Sequence, residues 1–365
     1  MGANPSKILH VLRSPRAEGT VRLTLDLLRI SGSEQDVLVL DPEPRDLLEE
    51  LRAAARDVRV ETGLPRGLWK LPWMTVRVWA ACRRSRPDIV ICWSNGFGGF
   101  VLLGAALAGV RGLITHAGNP PTPTPWGRVH TRMTAAMVWM VRGRMVCCSH
   151  YVANRFRQVS PTFSSILRVV YNCAPLGPIA QKAAEARSRR TDAAPRLVMV
   201  ATLEPHKDHA TLLRAVPEVL RAFPDMKLWL VGDGSLRSEL EAMSRSLGIE
   251  SCVAFLGTRR DVPALLGQSD GFVFSTTEQE GLGTVLVEAM AAGLSVVASD
   301  VPACREALDD GRWGRLVPPR NSDLLAQALI SLLRDPSPAD PKAREEALQP
   351  FLPARMMAGY IAAVT

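Results

Sequence analysis

The stretch STTEQEGLGTVLVEAMAAGLSVVAS, Ser275 to Ser299, decides how the chain is read. It opens as the end of an apolar run, GFVFST, and passes through a turn that carries Gly281 and Gly283. It continues as TVLVEAMAA, apolar at helical spacing, stops at Gly293, and re-enters an apolar run, SVVASD. Strand, helix and strand in such close succession make one parallel unit. The spacing predicts a helix starting near Gly283 or Thr284, with Gly293 in the C-terminal capping position. The first N–H groups of that helix, at Gly283, Thr284 and Val285, have no partner within it and sit at the positive end of its dipole. An anion such as a phosphate fits there. Gly281 and Gly283 lack side chains, so the anion can approach the backbone closely. One carboxylate stands on each side: Glu280 directly before the glycines, Glu288 just over a turn into the helix. A phosphate repels Glu288, but its carboxylate can accept hydrogen bonds from sugar hydroxyls such as a ribose diol, and Glu280 can reach what lies on the other side of the phosphates. Taken alone, the pair is more simply a loop carboxylate and a helix-surface carboxylate.

Working outward, RLVMVATL, KLWLVGDG, CVAFLG, GFVFST and SVVASD are five expected strands with helical segments between them. The first half repeats the alternation in KILHVLR, DVLVLD, RPDIVICWS, GLITHAG, RMVCCS and LRVVYN. Strands alternating with helices predict an α/β chain with parallel sheets covered on both faces, and 365 residues suggest two domains. Residues 1–175 form the first Rossmann-like domain in this reading and 195–345 the second. Between them, 176–194 is polar, Ala-rich and Arg-rich and reads as a linker or an exposed helix. Residues 346–365 have helical spacing without a strand partner and read as a terminal helix. In open parallel sheets ligands bind beyond the carboxyl ends of the strands, so two such sheets are expected to face a cleft.

The charge is uneven. Residues 1–190 hold 27 Lys/Arg and 13 Asp/Glu, and between Thr62 and Gly177 the only acid is Asp88, against 14 basic residues. Arginine-rich coding explains Arg over Lys but not missing acids in one half, so an anionic partner is expected. WKLPWMTVRVWAACRR, with Trp69, Trp73 and Trp79, reads either as a helix packed on the sheet or as an amphipathic element at a membrane surface. No nucleic-acid motif accompanies it. The seven cysteines form no C-x-x-C pattern, which fits a reduced, cytoplasmic setting. No signal peptide and no membrane span are recognised. No His/Asp/Glu grouping has metal-ligand spacing, so no metal and no cofactor are expected. VGDGSLR lacks the third glycine of a dinucleotide fingerprint.

With these segments in order, EGLGTVLVEAMAAGLSVVAS resembles the signature of the retaining glycosyltransferases of family 4, which have the GT-B fold of two Rossmann-like domains. Ser295 stands where the family usually has proline. LEPHKDHATLLRAV, LVGDGSLRSELE and VAFLGTRRDVPALL are similar to further family segments. The resemblance covers about 165 to 345 strongly and the first half loosely. It implies a retaining transfer of a sugar from a UDP- or GDP-linked donor, in cell-envelope polysaccharide, lipopolysaccharide or glycolipid synthesis. The acceptor would be a glycan, a lipid-linked molecule or a small molecule. The setting would be cytoplasmic, or peripheral on the inner face of the membrane, and the terminal helix would cross back to the first domain.

By the same resemblance, Lys207 and the helix start neutralise the donor diphosphate. Gly281, Leu282, Gly283, Thr284 and Val285 line it. Glu288 holds the ribose and Glu280 orients the donor sugar. The backbone at Gly257 to Arg260 meets the nucleobase. His116, at a strand end, reaches the reacting sugar, and Gly19 belongs to a glycine-bearing loop near phosphates or acceptor. One position departs from the pattern: the family usually has an arginine five residues before the lysine, and here it is Thr202. Either His206, Arg259 or Arg260 compensates, or donor binding is weaker. Two other functions share the fold: a sugar-nucleotide 2-epimerase and a non-catalytic nucleotide-sugar-binding subunit.

Overall fold

The computed structural model describes residues 7–31, 35–336 and 340–365. It divides into two compact units, Met1–Cys173 with Phe351–Thr365, and Ala174–Pro350.

The first unit runs β1 (Ile8–Leu12), α1 (Gly19–Ser31), β2 (Gln35–Val39), α2 (Leu48–Ala54), β3 (Asp57–Val60), α3 (Lys70–Ser85), β4 (Ile89–Cys92), α4 (Gly98–Leu107), β5 (Gly112–Ala117), α5 (Pro125–Met140), β6 (Arg144–Cys147), α6 (His150–Val159) and β7 (Leu167–Val169). Its seven strands are all parallel, in the order β3-β2-β1-β4-β5-β6-β7. Strands β1, β2, β4 and β5 are buried along their whole length, as a sheet covered by helices on both faces requires.

The second unit runs α7 (Leu176–Ser188), β8 (Arg196–Val200), α8 (His209–Ala222), β9 (Lys227–Val231), α9 (Arg237–Ser246), β10 (Val253–Gly257), α10 (Val262–Gly267), β11 (Gly271–Phe274), α11 (Thr284–Ala291), β12 (Ser295–Ser299), α12 (Pro302–Ala307), β13 (Arg315–Val317), α13 (Ser322–Arg334) and α14 (Pro341–Leu348). Its six strands follow the order β10-β9-β8-β11-β12-β13. Both sheets therefore reverse direction once, between β1 and β4 and between β8 and β11. That reversal is the switch point at which doubly wound sheets open a crevice. Helix α15 (Pro353–Ala362) belongs to the first unit and packs on α1.

Two strands escape the apolar-run reading. β3 is charged and nowhere fully buried, and β13 has only three residues. Both are edge strands, which pair on one side only and need less apolar sequence. The segment 176–194, expected as a linker or exposed helix, is instead integral to the second unit. Leu176, Ile179, Ala183 and Ala186 form a buried stripe of α7 within its arginine-rich sequence. Gly267 of α10 packs so close that a β-carbon there would lie 2.1 Å from the Ala183 carbonyl oxygen. Arg187 donates to the Ala292 carbonyl at 2.8 Å, and Arg190 grips both oxygens of Asp270 at 2.9 Å.

Candidate functional site

In the second unit, β8 and β11 pair at only two positions, Leu197 with Phe272's neighbour Gly271 and Val198 with Phe272. β8 and β9 pair at five. Beyond Val198 and Phe272 the two central strands carry no further register pairs, and the loops that follow them supply the polar side chains. The loop after β8 runs through a short 3-10 turn, Pro205–Lys207, before Asp208 caps α8 through its side chain. The His206 carbonyl ties it to the loop after β11: Thr277 donates its N–H at 3.0 Å and its hydroxyl at 3.1 Å, and the Thr276 hydroxyl donates at 3.0 Å.

This tie brings Lys207 to Glu280, seventy-three positions apart in the chain. The ammonium donates directly to Glu280 Oε2 and sits 5.1 Å above the Phe274 ring. Glu280 is buried at 6% exposure, and its other oxygen accepts from the Gly281 N–H at 3.2 Å. Burial alone would raise the Glu280 carboxyl. The Lys207 charge and hydrogen bond, with the nearby His206 and the Gly281 N–H, outweigh it and hold the group below the usual carboxylate range. Glu280 is therefore an anion at neutral pH, and its negative charge is matched by Lys207.

Gly283 caps α11 with φ +73°, a left-handed conformation, and as a glycine gives the helix start no side-chain cap. Only glycine reaches that turn without strain. Gly281, Leu282 and Gly283 are buried, while Thr284, Val285 and Glu288 are partly open. The helix stops at Ala291, and Gly293, at φ +81°, follows its cap. The helix start at Thr284 and the stop before Gly293 are those the spacing predicts. Thr202 is exposed just beyond β8. Gly232, just after β9, packs closely on the residue before Thr202: a β-carbon there would lie 2.0 Å from the Ala201 carbonyl oxygen. Gly257 turns at φ +65° at the end of β10, and Arg260 is exposed beyond it. Arg259 is engaged by Asp261 at 2.6 Å. A groove of about 760 Å³ lies elsewhere, along β13, and is lined by none of these residues. Among the described residues no group of three His, Cys, Asp or Glu is placed to hold a metal ion.

In the first unit, His116 is the penultimate residue of β5 and is buried at 1% exposure. Its Nδ1 lies 2.7 Å from the Tyr360 hydroxyl of α15. Trp93, just after β4, is tilted against it at 5.2 Å between ring centres and donates its indole N–H to His10 Nδ1 at 3.0 Å. His10 Nε2 in turn lies 2.6 Å from Gln35 Oε1. Burial pushes the His116 and His10 imidazoles down to about 4, so both are neutral near pH 7. His116 Nε2 is buried without a protein partner, and a β-carbon on Gly118 would sit 3.2 Å from it. Gly19 is the first residue of α1, exposed, with open space where a side chain would be.

Sequence reading missed three contributors. Thr276 and Ser299 anchor the Glu280 loop, the Thr276 N–H donating to Ser299 Oγ at 2.9 Å; short polar residues at strand ends carry no signal of their own. Tyr360 lies 244 positions from the histidine it contacts, and no local pattern reports such a pair.

Two doubly wound units of this strand order, with a polar site at the switch point of the second, define the GT-B architecture. The chain belongs to glycosyltransferase family 4. Residues 18–176 match the model described as Glycosyltransferase Family 4, and residues 194–335 match that of Glycosyl transferases group 1. A phosphatidyl-myo-inositol mannosyltransferase of Mycobacterium leprae is 42% identical over 134 residues, 36% of this chain and 35% of that one. The match thus spans about a third of that relative's length. The putative glycosyltransferase EpsF of Bacillus subtilis is 28% identical over 85% of this chain and 83% of its own. Among solved structures, Anabaena Alr3699/HepE in complex with UDP and glucose superposes with a TM-score of 0.82 at 21% identity, covering 98% of this chain and all of that one. That likeness establishes the shared fold.

Proposed function

We propose that the protein transfers a sugar, with retention of anomeric configuration, from a UDP- or GDP-linked donor to a hydroxyl of a glycan or lipid-linked acceptor. The observation that carries this reading is the largely buried Lys207–Glu280 pair at the β8/β11 switch point, beside the glycine-capped start of α11. The names of the relatives support it: a mannosyltransferase and a putative glycosyltransferase.

In this reading the donor diphosphate lies at the N–H groups of Gly283, Thr284 and Val285, with Gly281 and Leu282 lining the approach. Lys207 turns from Glu280 toward the phosphate and balances the charge that develops as the sugar–phosphate bond breaks. Glu280 then orients the donor sugar, and Glu288 accepts from the ribose diol. Gly257 and Arg260 border the nucleobase, and Thr202 offers the diphosphate a hydroxyl. His116 contributes a neutral imidazole through Nε2, and Gly19 leaves room for substrate. The bond from C1 to the acceptor oxygen forms as the bond to phosphate breaks, and the acceptor proton passes to the leaving phosphate oxygen. No step calls on a metal.

The test is calorimetric titration with UDP, GDP and their sugars, followed by turnover on a panel of acceptors. Nucleotide release that depends on added acceptor supports transfer. Inversion at C2 of the sugar of UDP-GlcNAc without acceptor identifies the epimerase, and UDP release that needs acceptor counts against it. Thr202, which supplies no positive charge, favours a non-catalytic binding subunit as the second reading; tight nucleotide binding without turnover would identify it.

A further inference from the structure

α3, α4 and α5 lie side by side on one face of the first unit's sheet, as right-handed crossovers that all step in the same direction require. They are tightly joined. Gly104 of α4 would place a β-carbon 2.3 Å from the Thr75 carbonyl oxygen of α3, and Gly99 would place one 2.8 Å from Met137 of α5. Each helix buries one face against the sheet: Met74, Val78, Ala81 and Cys82 in α3, and Thr131, Thr134, Ala135 and Val138 in α5.

A surface helix ordinarily turns polar residues to water on the side opposite its buried face. These three do not. On α5 the positions opposite the buried row are Trp126, Val129, Met133 and Met140, and they are 45–77% exposed. On α3 the same side carries Val76 and Trp79, at 59% and 43%, with Trp69, 78% exposed, directly before the helix and Arg83 exposed near its end. α4 has no polar side chain at all; its outward residues are Phe100, Leu103 and Leu107, the last 65% exposed. An apolar strip thus crosses all three helices, where isolated exposed apolar residues would be ordinary.

Its rim is basic on both sides. Lys70, Arg77 and Arg84 follow the flank of α3 away from α4, and Arg128 and Arg132 follow the flank of α5 away from α4. No acidic residue occurs in α3, α4 or α5. Arg77 reaches Glu61 at 3.5 Å and Arg132 donates to the Val159 carbonyl at 2.9 Å; both remain exposed, as are Lys70, Arg84 and Arg128.

We propose that this three-helix face seats the protein on an anionic lipid bilayer. Tryptophan, methionine and leucine side chains enter the headgroup region, and the basic rim meets lipid phosphates. Indole rings suit that boundary, apolar in body and polar at the N–H. The charge argues against a second copy as the occupant, because apposing two such faces sets basic rim against basic rim. The inference is independent of sugar transfer: it rests on the outer face of the first unit and uses none of the residues assigned to the nucleotide. Among the described residues no helix is long and apolar enough to cross a membrane, so the attachment is to one leaflet surface.

The experiment is co-sedimentation of the full chain with vesicles of phosphatidylcholine containing about a third phosphatidylglycerol, against pure phosphatidylcholine, at low and high salt. Tryptophan emission and the solution mass are followed in parallel. Binding to the anionic vesicles is expected, with blue-shifted emission and weakening by salt. Met133→Glu and Leu107→Glu are each expected to weaken it by about tenfold or more, whereas Leu324→Glu, exposed on the second unit, leaves it unchanged. Absence of binding at low salt overturns the proposal. So does binding that both face variants retain in full while remaining folded by circular dichroism. A dimer in solution that Met133→Glu dissociates would make the occupant a second copy and overturn it as well.

Discussion

The two units share a strand order and differ in what they place at the switch point. At the end of β8 and β11 the second unit sets a lysine against a buried carboxylate. At β1, β4 and β5 the first unit sets His10, Trp93 and His116 in a neutral, ring-stacked cluster closed by Tyr360. The same backbone geometry thus carries an ion pair in one case and uncharged hydrogen-bonding rings in the other. A buried ion pair is a poor device for stability alone, since an apolar pair of similar volume often does as well. Its retention at a switch point is readily understood as charge held ready for a charged ligand. The neutral cluster costs less desolvation and fixes the direction of one imidazole.

The largest effect expected from breaking this contrast is at Lys207. Lys207→Ala strands the Glu280 carboxylate in the interior, so a loss of about 3–5 kcal/mol in stability is expected, together with loss of nucleotide binding. Adding Glu280→Gln should return much of the stability but none of the binding, as read by denaturant unfolding and calorimetry. If the double variant binds UDP or GDP as the parent does, the lysine has only a structural role.

Acid should act on both units, by different groups. His10 and His116 in the first and His209 in the second are each pushed down to about 4 by burial. A histidine lowered on folding takes up a proton more readily when unfolded. Its contribution is present above the ordinary imidazole range and lost as pH falls from there toward 4, at roughly 1 kcal/mol per pH unit for each histidine. Asp26, raised to about 6 by burial, binds its proton more readily when folded and offsets one of the three over the same interval. Glu280, held low, adds a loss below the usual carboxylate range. Thermal unfolding between pH 7.5 and 4 should therefore show a falling midpoint; a flat profile would mean that the imidazoles are hydrated in solution.

A smaller effect is expected at Tyr360. Tyr360→Phe removes the hydroxyl that meets His116 Nδ1 and leaves a buried ring nitrogen without a partner, at about 1–3 kcal/mol. If Tyr360 positions the imidazole, turnover falls while KM for the donor stays near its parental value; an unchanged turnover would confine the tyrosine to packing. The smallest effect is at Thr202, which is exposed and carries no charge. Thr202→Arg should be tolerated by the fold and tighten UDP or GDP binding a few-fold. Unchanged affinity would place the position out of reach of the phosphates.

Much of this was legible along the chain. The run from Ser275 to Ser299 specified a strand, a glycine turn, a helix start and its stop, because backbone preference and apolar period act over a few residues. The positions of Gly281, Gly283, Glu280 and Glu288 followed from it. The same local logic failed at β3 and β13, where an edge strand needs little apolar sequence, and at α7, whose buried stripe is hidden by arginine and alanine. It also favoured neither reading of Trp69, Trp73 and Trp79, since burial depends on neighbours that a linear pattern does not contain.

Sequence by itself determined the two α/β halves, the strand that leads to each candidate residue and the excess of positive charge in the first half. Only the tertiary structure decided that Lys207 meets Glu280, that Tyr360 meets His116, and that α3, α4 and α5 turn one apolar strip outward. Period and propensity are properties of neighbouring residues, whereas these pairings join segments far apart in the chain, and burial and charge pairing exist only once the sheets have brought those segments together.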